Sequence, residues 1–463
     1  MKTTLSIACL VALLAAAPAA AQVDLSNYVA LGDSITAGFV SGSLMNWYQE
    51  RSYPALLARQ AGAAGFEMPL VSEPGIPPIL ELVSLQGPVI APVSLIPGEP
   101  TNPAYPLPYN NLGVPGATLF DMIFTTGDIM NLAQGNLDNV MHDLVLRNGV
   151  NTALEQAIGR DPSFMTVWIG NNDVLAAVLS ATPIDGVTMT PVDVFAGLYG
   201  NAVGALVTNT TADIVLINIP YVTEIPFVKA FGPFVEIPGA GTIPLVADTG
   251  PLQADDLVTL SGAELVALQG YGLPGGPPLP DNLNLFTGEP GYVLRAAEVE
   301  AINERVDAIN QIIADTAAAY DLPVLDIKSR FGEIAAGELW VVGALEFSTD
   351  FLIGGLFSYD GIHPQHIGQA LVAIELIDLV NAEFGADIPQ VNLAEVLFEG
   401  DWQTPAISPP KAADVVLSRE AFKQLYELLG PKIDQQPRIR RPGTPSQPGI
   451  VDPGVRRAPL PRQ

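Results

Sequence analysis

Two widely separated stretches carry residues that could perform one reaction together. Ser34 lies in YVALGDSITAGF (28–39) and His363 in YDGIHPQHIG (359–368). A serine hydroxyl is a weak nucleophile until a base takes its proton, and histidine is the usual base. The chain has three histidines, and only His363 has an aspartate three residues before it, Asp360. Asn139 holds that place for His142, and His363 for His366. From a glycine-containing turn, the Asp360 carboxylate could receive the imidazole Nδ1–H and hold the tautomer that leaves Nε2 free to accept. The tetrahedral intermediate of ester hydrolysis also needs hydrogen-bond donors for its oxyanion. The N–H of Ser34, the N–H of Gly116 in NNLGVPGATL (110–119) and the amide of Asn172 in IGNNDVL (169–175) are candidates. Each residue alone has a plainer reading. Ser34 and Asn172 could cap helices, and Gly116 could serve only as a turn glycine.

What joins these pieces is the elements that precede them. Five short apolar runs stand at Tyr28–Leu31, Tyr109–Val114, Met165–Ile169, Ile214–Ile219 and Pro323–Ile327. Helical patterns separate them at Ser52–Ala63, Thr152–Gly159, Val192–Thr208 and Ala297–Tyr320, and a last one covers His366–Phe384. In Ala297–Tyr320 the residues Val299, Ile302, Val306, Ile309 and Ile313 recur every three or four positions. Strands alternating with helices predict an α/β protein whose parallel sheet is covered on both faces. Ligands of such sheets bind beyond the carboxyl ends of the strands. Ser34, Gly116 and Asn172 each follow a run directly, and Asp360 and His363 follow the fifth after about thirty residues.

The four blocks, GDS at 32–34, Gly116 within GVPGAT, GNND at 170–173 and DGIHP at 360–364, resemble those of the SGNH (GDSL) hydrolase family. The resemblance spans 27–385. It implies a three-layer α/β/α flavodoxin-like fold with strand order 2-1-3-4-5. It also implies Ser34 as nucleophile, His363 as base, Asp360 as its orienter, and Ser34, Gly116 and Asn172 as the oxyanion hole. No Gly-x-Ser-x-Gly occurs, so the nucleophile elbow of the α/β-hydrolases is not available.

The remainder of the chain bounds the setting. Residues 1–21 read as a secretory signal: Lys2, an apolar stretch from Leu5 to Ala17, and Ala19-Ala20-Ala21 before Gln22. The only cysteine, Cys9, lies within it, so the mature chain, secreted or periplasmic, is expected to hold no disulfide. The hydrolase domain is expected over 22–400, with Gly/Pro-rich insertions at about 65–108 and 221–291 that form either packing arms or a lid or wall over the site. A linker and short helix are expected over 401–436. A disordered tail follows over 437–463, with six arginines and one acid. The net charge of −29 argues against a nucleic-acid partner. No cofactor or metal is required, and Asp248, Asp255 and Asp256 lack Ca²⁺-loop spacing and read as a solvated loop. Phe39, Trp47 and Tyr48 either line the pocket or pack the first helix. His142 and His366 read as surface or helix-start residues.

The expected substrate is a carboxylic ester, of lipid or other apolar type if insertion segments such as 77–98 and 227–246 wall an acyl pocket. The alternatives are a carbohydrate O-acetylesterase, disfavoured because the insertions have no tryptophan, and a non-catalytic surface binding protein, disfavoured because no catalytic position is missing. The basic tail could tether the protein weakly to anionic envelope polymers.

Overall fold

The structure, a computed structural model, describes residues 23–84, 89–237, 239, 241–342, 345–398 and 415–433. The leader, the 401–411 linker and the 437–463 tail lie outside the described residues.

The five apolar runs form one parallel sheet, with β1 at Tyr28–Gly32, β2 at Asn111–Gly113, β3 at Phe164–Trp168, β4 at Asp213–Ile217 and β5 at Val324–Leu325. Its order is β2-β1-β3-β4-β5, as the resemblance implies. Strands β1 and β3 are buried along their whole length, which explains why they read as continuous apolar runs rather than alternating ones. The register decides where chemistry gathers. Gly32 stands beside both Gly113 and Trp168, so three strands end at one level. A side chain at Gly32 would collide with Thr36 and with the Trp168 carbonyl, so only glycine permits this close approach.

The helices that concern the site are α1 (Ser34–Ala37), α2 (Tyr53–Gln60), α3 (Ala153–Gly159), α4 (Asn172–Leu179), α5 (Val192–Asn209), α6 (Ala296–Tyr320), α7 (His366–Phe384) and α8 (Arg419–Leu429). Helices α2 and α7 pack together, and α5 packs with α3 and α6, giving the two layers that flank the sheet. Ile302, Val306, Ile309 and Ile313 of α6 are fully buried, matching their spacing in the sequence.

The first Gly/Pro-rich segment carries an antiparallel hairpin, Leu80–Ser84 with Val89–Pro92. Its third strand is β6 (Val416–Leu417), which joins it in parallel from the far end of the chain. The second segment has a core of its own, including Leu245, Val258, Val266 and Leu279. Asp256 there is not solvated. It is buried and paired with Arg295 at 2.8 Å, while Arg295 also reaches the buried Asp281 at 3.1 Å. A guanidinium fork offers several donors at once, so one arginine reaches both carboxylates and anchors the segment at the start of α6.

Candidate active site

The turn from β1 into α1 settles how Ser34 sits. Asp33, not Ser34, is the cap: its carboxylate accepts from the Ile35 N–H at 3.0 Å. Ser34 is the first residue of α1, and its hydroxyl is free for another partner. That partner is His363, whose Nε2 lies 2.9 Å from Ser34 Oγ. The imidazole Nδ1 lies 2.8 Å from Asp360 Oδ2. A carboxylate can only accept, so Nδ1 carries the proton and Nε2 is left to accept from the hydroxyl.

Asp360 is the most heavily bonded group in this cluster. Its Oδ2 also accepts from the Gly42 N–H at 2.8 Å, and its Oδ1 from the N–H groups of Ile362 and His363 and the hydroxyl of Ser358, at 2.8–2.9 Å. Burial alone would raise this carboxyl. The facing His363 charge, its ring N–H and the two backbone N–H groups outweigh burial and hold Asp360 below the ordinary carboxylate range. Phe39 packs against the imidazole in an edge-to-face arrangement, with centroids 4.9 Å apart, which helps to fix the ring plane.

The second and third blocks are tied to the first by buried polar side chains. Asn171 Nδ2 donates to Asp33 Oδ2 at 2.9 Å. Asn172 Nδ2 donates to the Ala117 carbonyl at 3.0 Å, one residue beyond Gly116, and keeps a second N–H. Asp173 accepts from the Leu119 N–H at 2.9 Å and the Thr190 hydroxyl at 2.7 Å. Burial pushes the Asp33 carboxyl up to about 6 and the Asp173 carboxyl up to about 7. Gly116 has φ +78°, a left-handed conformation that explains glycine there. Gly116 and Asn172 both line a cavity of about 790 Å³, with Pro77 of the first Gly/Pro-rich segment and Gln424 and Leu428 of α8 on its other walls.

The structure thus brings Ser34, Asp360 and His363 into one hydrogen-bonded line and puts Gly116 and Asn172 on one cavity. The other two histidines are buried rather than at the surface. His366, the first residue of α7, packs against Trp47 and Tyr48, and burial pulls it down to about 4. His142 lines the cavity. Among the described residues, no group of three His, Cys, Asp or Glu could hold a metal ion. No described helix is long and apolar enough to cross a membrane. Sequence reasoning missed Gly42 and Ser358 as partners of Asp360. A serine two residues before the aspartate was the one available signal.

Residues 28–376 match the model of the GDSL-like lipase/acylhydrolase family, and the chain belongs to that family of ester hydrolases. Among solved structures it is similar to a lipase/acylhydrolase from Enterococcus faecalis, with 15% identity over 79% of this chain and 98% of that one, and a TM-score of 0.31. It is also similar to phospholipase A1 from Streptomyces albidoflavus NA297, at 15% identity over 77% and 98% of the two chains, with a TM-score of 0.32. A third likeness is to Axe2, an acetylxylan esterase from Geobacillus stearothermophilus, at 12% identity over 78% and 98%, with a TM-score of 0.34. No curated protein sequence matches the chain.

Proposed function

We propose that the protein is an exported serine hydrolase that cleaves carboxylic esters through an acyl-enzyme on Ser34. The observation that carries this reading is the line Ser34 Oγ, His363 Nε2, His363 Nδ1, Asp360 Oδ2, with links of 2.9 and 2.8 Å. As Ser34 attacks the ester carbonyl, its proton passes to His363 Nε2 and Asp360 stabilises the resulting imidazolium. The N–H groups of Ser34 and Gly116 and the free N–H of Asn172 receive the charge that develops on the carbonyl oxygen. His363 then gives its proton to the leaving alcohol. Water, activated by the same base, attacks the acyl-enzyme and releases the acid.

Apolar esters are the substrate class we favour, because Phe120, Leu137, Val187 and Leu428 line the cavity beside Gly116 and Asn172. The reading includes export by the 1–21 leader, a hydrolase domain over 22–400 and a basic tail that tethers weakly to anionic polymers. Hydrolysis of p-nitrophenyl esters from acetyl to palmitoyl, by wild type and by Ser34→Ala, tests the function. Loss of turnover in the variant and an optimum at medium or long chains support it. Full activity of Ser34→Ala refutes the nucleophile, and activity confined to acetyl esters refutes the apolar class. N-terminal sequencing of the exported protein should begin at Gln22.

A further inference from the structure

The chain after α1 makes a two-residue turn that reaches across to the Asp360 block. Val40 and Ser43 exchange both backbone hydrogen bonds, at 2.9 and 3.1 Å, and the residues between them have positive φ, +50° at Ser41 and +72° at Gly42. That is the signature of a type I′ turn, a conformation that glycine adopts freely and serine only with strain. The consecutive N–H groups of Ser41 and Gly42 serve one carboxylate. Gly42 N–H donates to Asp360 Oδ2 at 2.8 Å. Ser41 N–H donates to Ser358 Oγ at 2.9 Å, and the Ser358 hydroxyl donates to Asp360 Oδ1 at 2.9 Å. A carboxylate can only accept, so Ser358 gives its single proton to Asp360 and keeps a lone pair for Ser41. The turn thus holds one oxygen directly and the other through Ser358. Two points of hold fix the plane of the carboxylate, and with it the direction in which Oδ2 meets His363 Nδ1.

Ser41 is also tied to the block by its own side chain, whose hydroxyl accepts from the Tyr359 N–H at 3.2 Å. Glycine at position 41 would carry no strain but could not make this bond. Backbone strain kept where a side chain grips the catalytic block points to function rather than to folding. The carbonyls of the turn are held from outside, Ser41 by the Leu80 N–H and Gly42 by Gln424 Nε2, each at 2.9 Å. Ser41, Ser358 and Asp360 are all buried, so water does not replace a lost bond. The turn lies on the same short segment as the nucleophile and as Phe39, which packs on His363. Holding Asp360 from that segment puts nucleophile and base in one frame.

We propose that Ser41 and Ser358 are positioning residues for ester hydrolysis, a buried clamp that acts through Asp360 to align His363 on Ser34. The inference rests on the ester-hydrolase reading and deepens it.

The test measures kcat and KM for p-nitrophenyl butyrate on the full mature chain. Ser358→Ala should lower kcat on the order of tenfold with KM unchanged. In an Asp360→Ala background the same substitution should cost nothing further, because its target is gone. Undiminished kcat, or an equal loss in both backgrounds, overturns action through Asp360. Ser41→Gly relieves the left-handed strain, so its melting temperature should equal or exceed that of wild type while kcat falls severalfold. If Ser358→Ala does not fold, Ser41→Gly decides: lower kcat at undiminished stability supports the clamp, and kcat at or above wild type overturns it. Absence of ester turnover by folded wild type would overturn the hydrolase reading instead. Hydrogen exchange then still reads the clamp. Faster exchange over 40–43 and 359–363 in Ser41→Gly, at undiminished melting temperature, supports it, and unchanged exchange overturns it.

Discussion

Asp360→Asn is the substitution whose consequence the geometry defines most closely. The carboxylate accepts five hydrogen bonds, three on Oδ1 and two on Oδ2. An asparagine has one oxygen and one NH2, so one set of donors must face another donor. Keeping the oxygen toward Ser358, Ile362 and His363 N–H is the better choice, since it preserves three bonds. The NH2 then faces Gly42 N–H and His363 Nδ1. The imidazole can avoid the second clash only by moving its proton to Nε2, and an Nε2–H cannot accept from Ser34. The expected loss in kcat is about 10⁴-fold, the scale set by a wrong tautomer in such triads. That corresponds to roughly 5 kcal/mol in the barrier. The stranded Gly42 N–H adds about 1–3 kcal/mol of lost stability. Steady-state hydrolysis of p-nitrophenyl butyrate, with the folded fraction fixed by urea titration, separates the two effects. A folded Asp360→Asn enzyme retaining a tenth or more of wild-type kcat refutes the assigned tautomer and, with it, the role of Asp360.

Three further outcomes are expected. Asp173, raised to about 7 by burial, keeps a proton in the native state that the unfolded chain loses near 3.8. Its stabilising contribution is full below about 4 and is lost as pH rises through about 7. Asp173→Asn mimics the protonated form, with Thr190 turning its hydroxyl to accept. Urea unfolding at pH 5 and pH 8 should therefore show a drop in stability smaller by as much as about 2.5 kcal/mol than in wild type; equal drops contradict a protonated Asp173. Phe39→Leu removes the ring that supports His363, and kcat should fall on the order of tenfold with KM little changed; a rise in KM alone would put Phe39 in the substrate pocket. Arg295→Ala leaves the buried Asp256 and Asp281 without their cation, and should cost about 3–5 kcal/mol. Hydrogen exchange should show the loss concentrated in residues 245–295, and uniform protection there would refute the anchor.

The central sheet was legible because buried parallel strands have no polar face to hide. Tyr28–Leu31 and Met165–Ile169 are continuous apolar runs; the first observed strand runs one residue further, and the second is displaced by one residue at both ends. Helix α6 was legible from its regular isoleucines and valines. Helices α1 and α4 were not, because four or eight residues that begin at Ser34 and Asn172 give too few turns to show a period. β2 shrank to Asn111–Gly113 because Asn110 and Asn111 both turn their N–H groups to the Glu67 carbonyl, a contact no local pattern signals. The site residues could be named from types and order along the chain, yet their supports could not. Gly42 meets Asp360 across 318 positions and Gln424 meets Gly42 across 382, and such contacts leave no trace in spacing. The buried state of His366 and Asp256 was missed for the same reason: their partners come from distant elements.

The most direct test of the account is to catch the acyl group on the protein. Wild type is mixed with a p-nitrophenyl ester, quenched in acid within the first turnover, digested and mapped by mass spectrometry. An acyl adduct on the peptide containing Ser34, absent from Ser34→Ala together with turnover, is the expected result. Steady hydrolysis with no adduct on that peptide, or an adduct on another residue, would contradict the assignment of Ser34 as nucleophile.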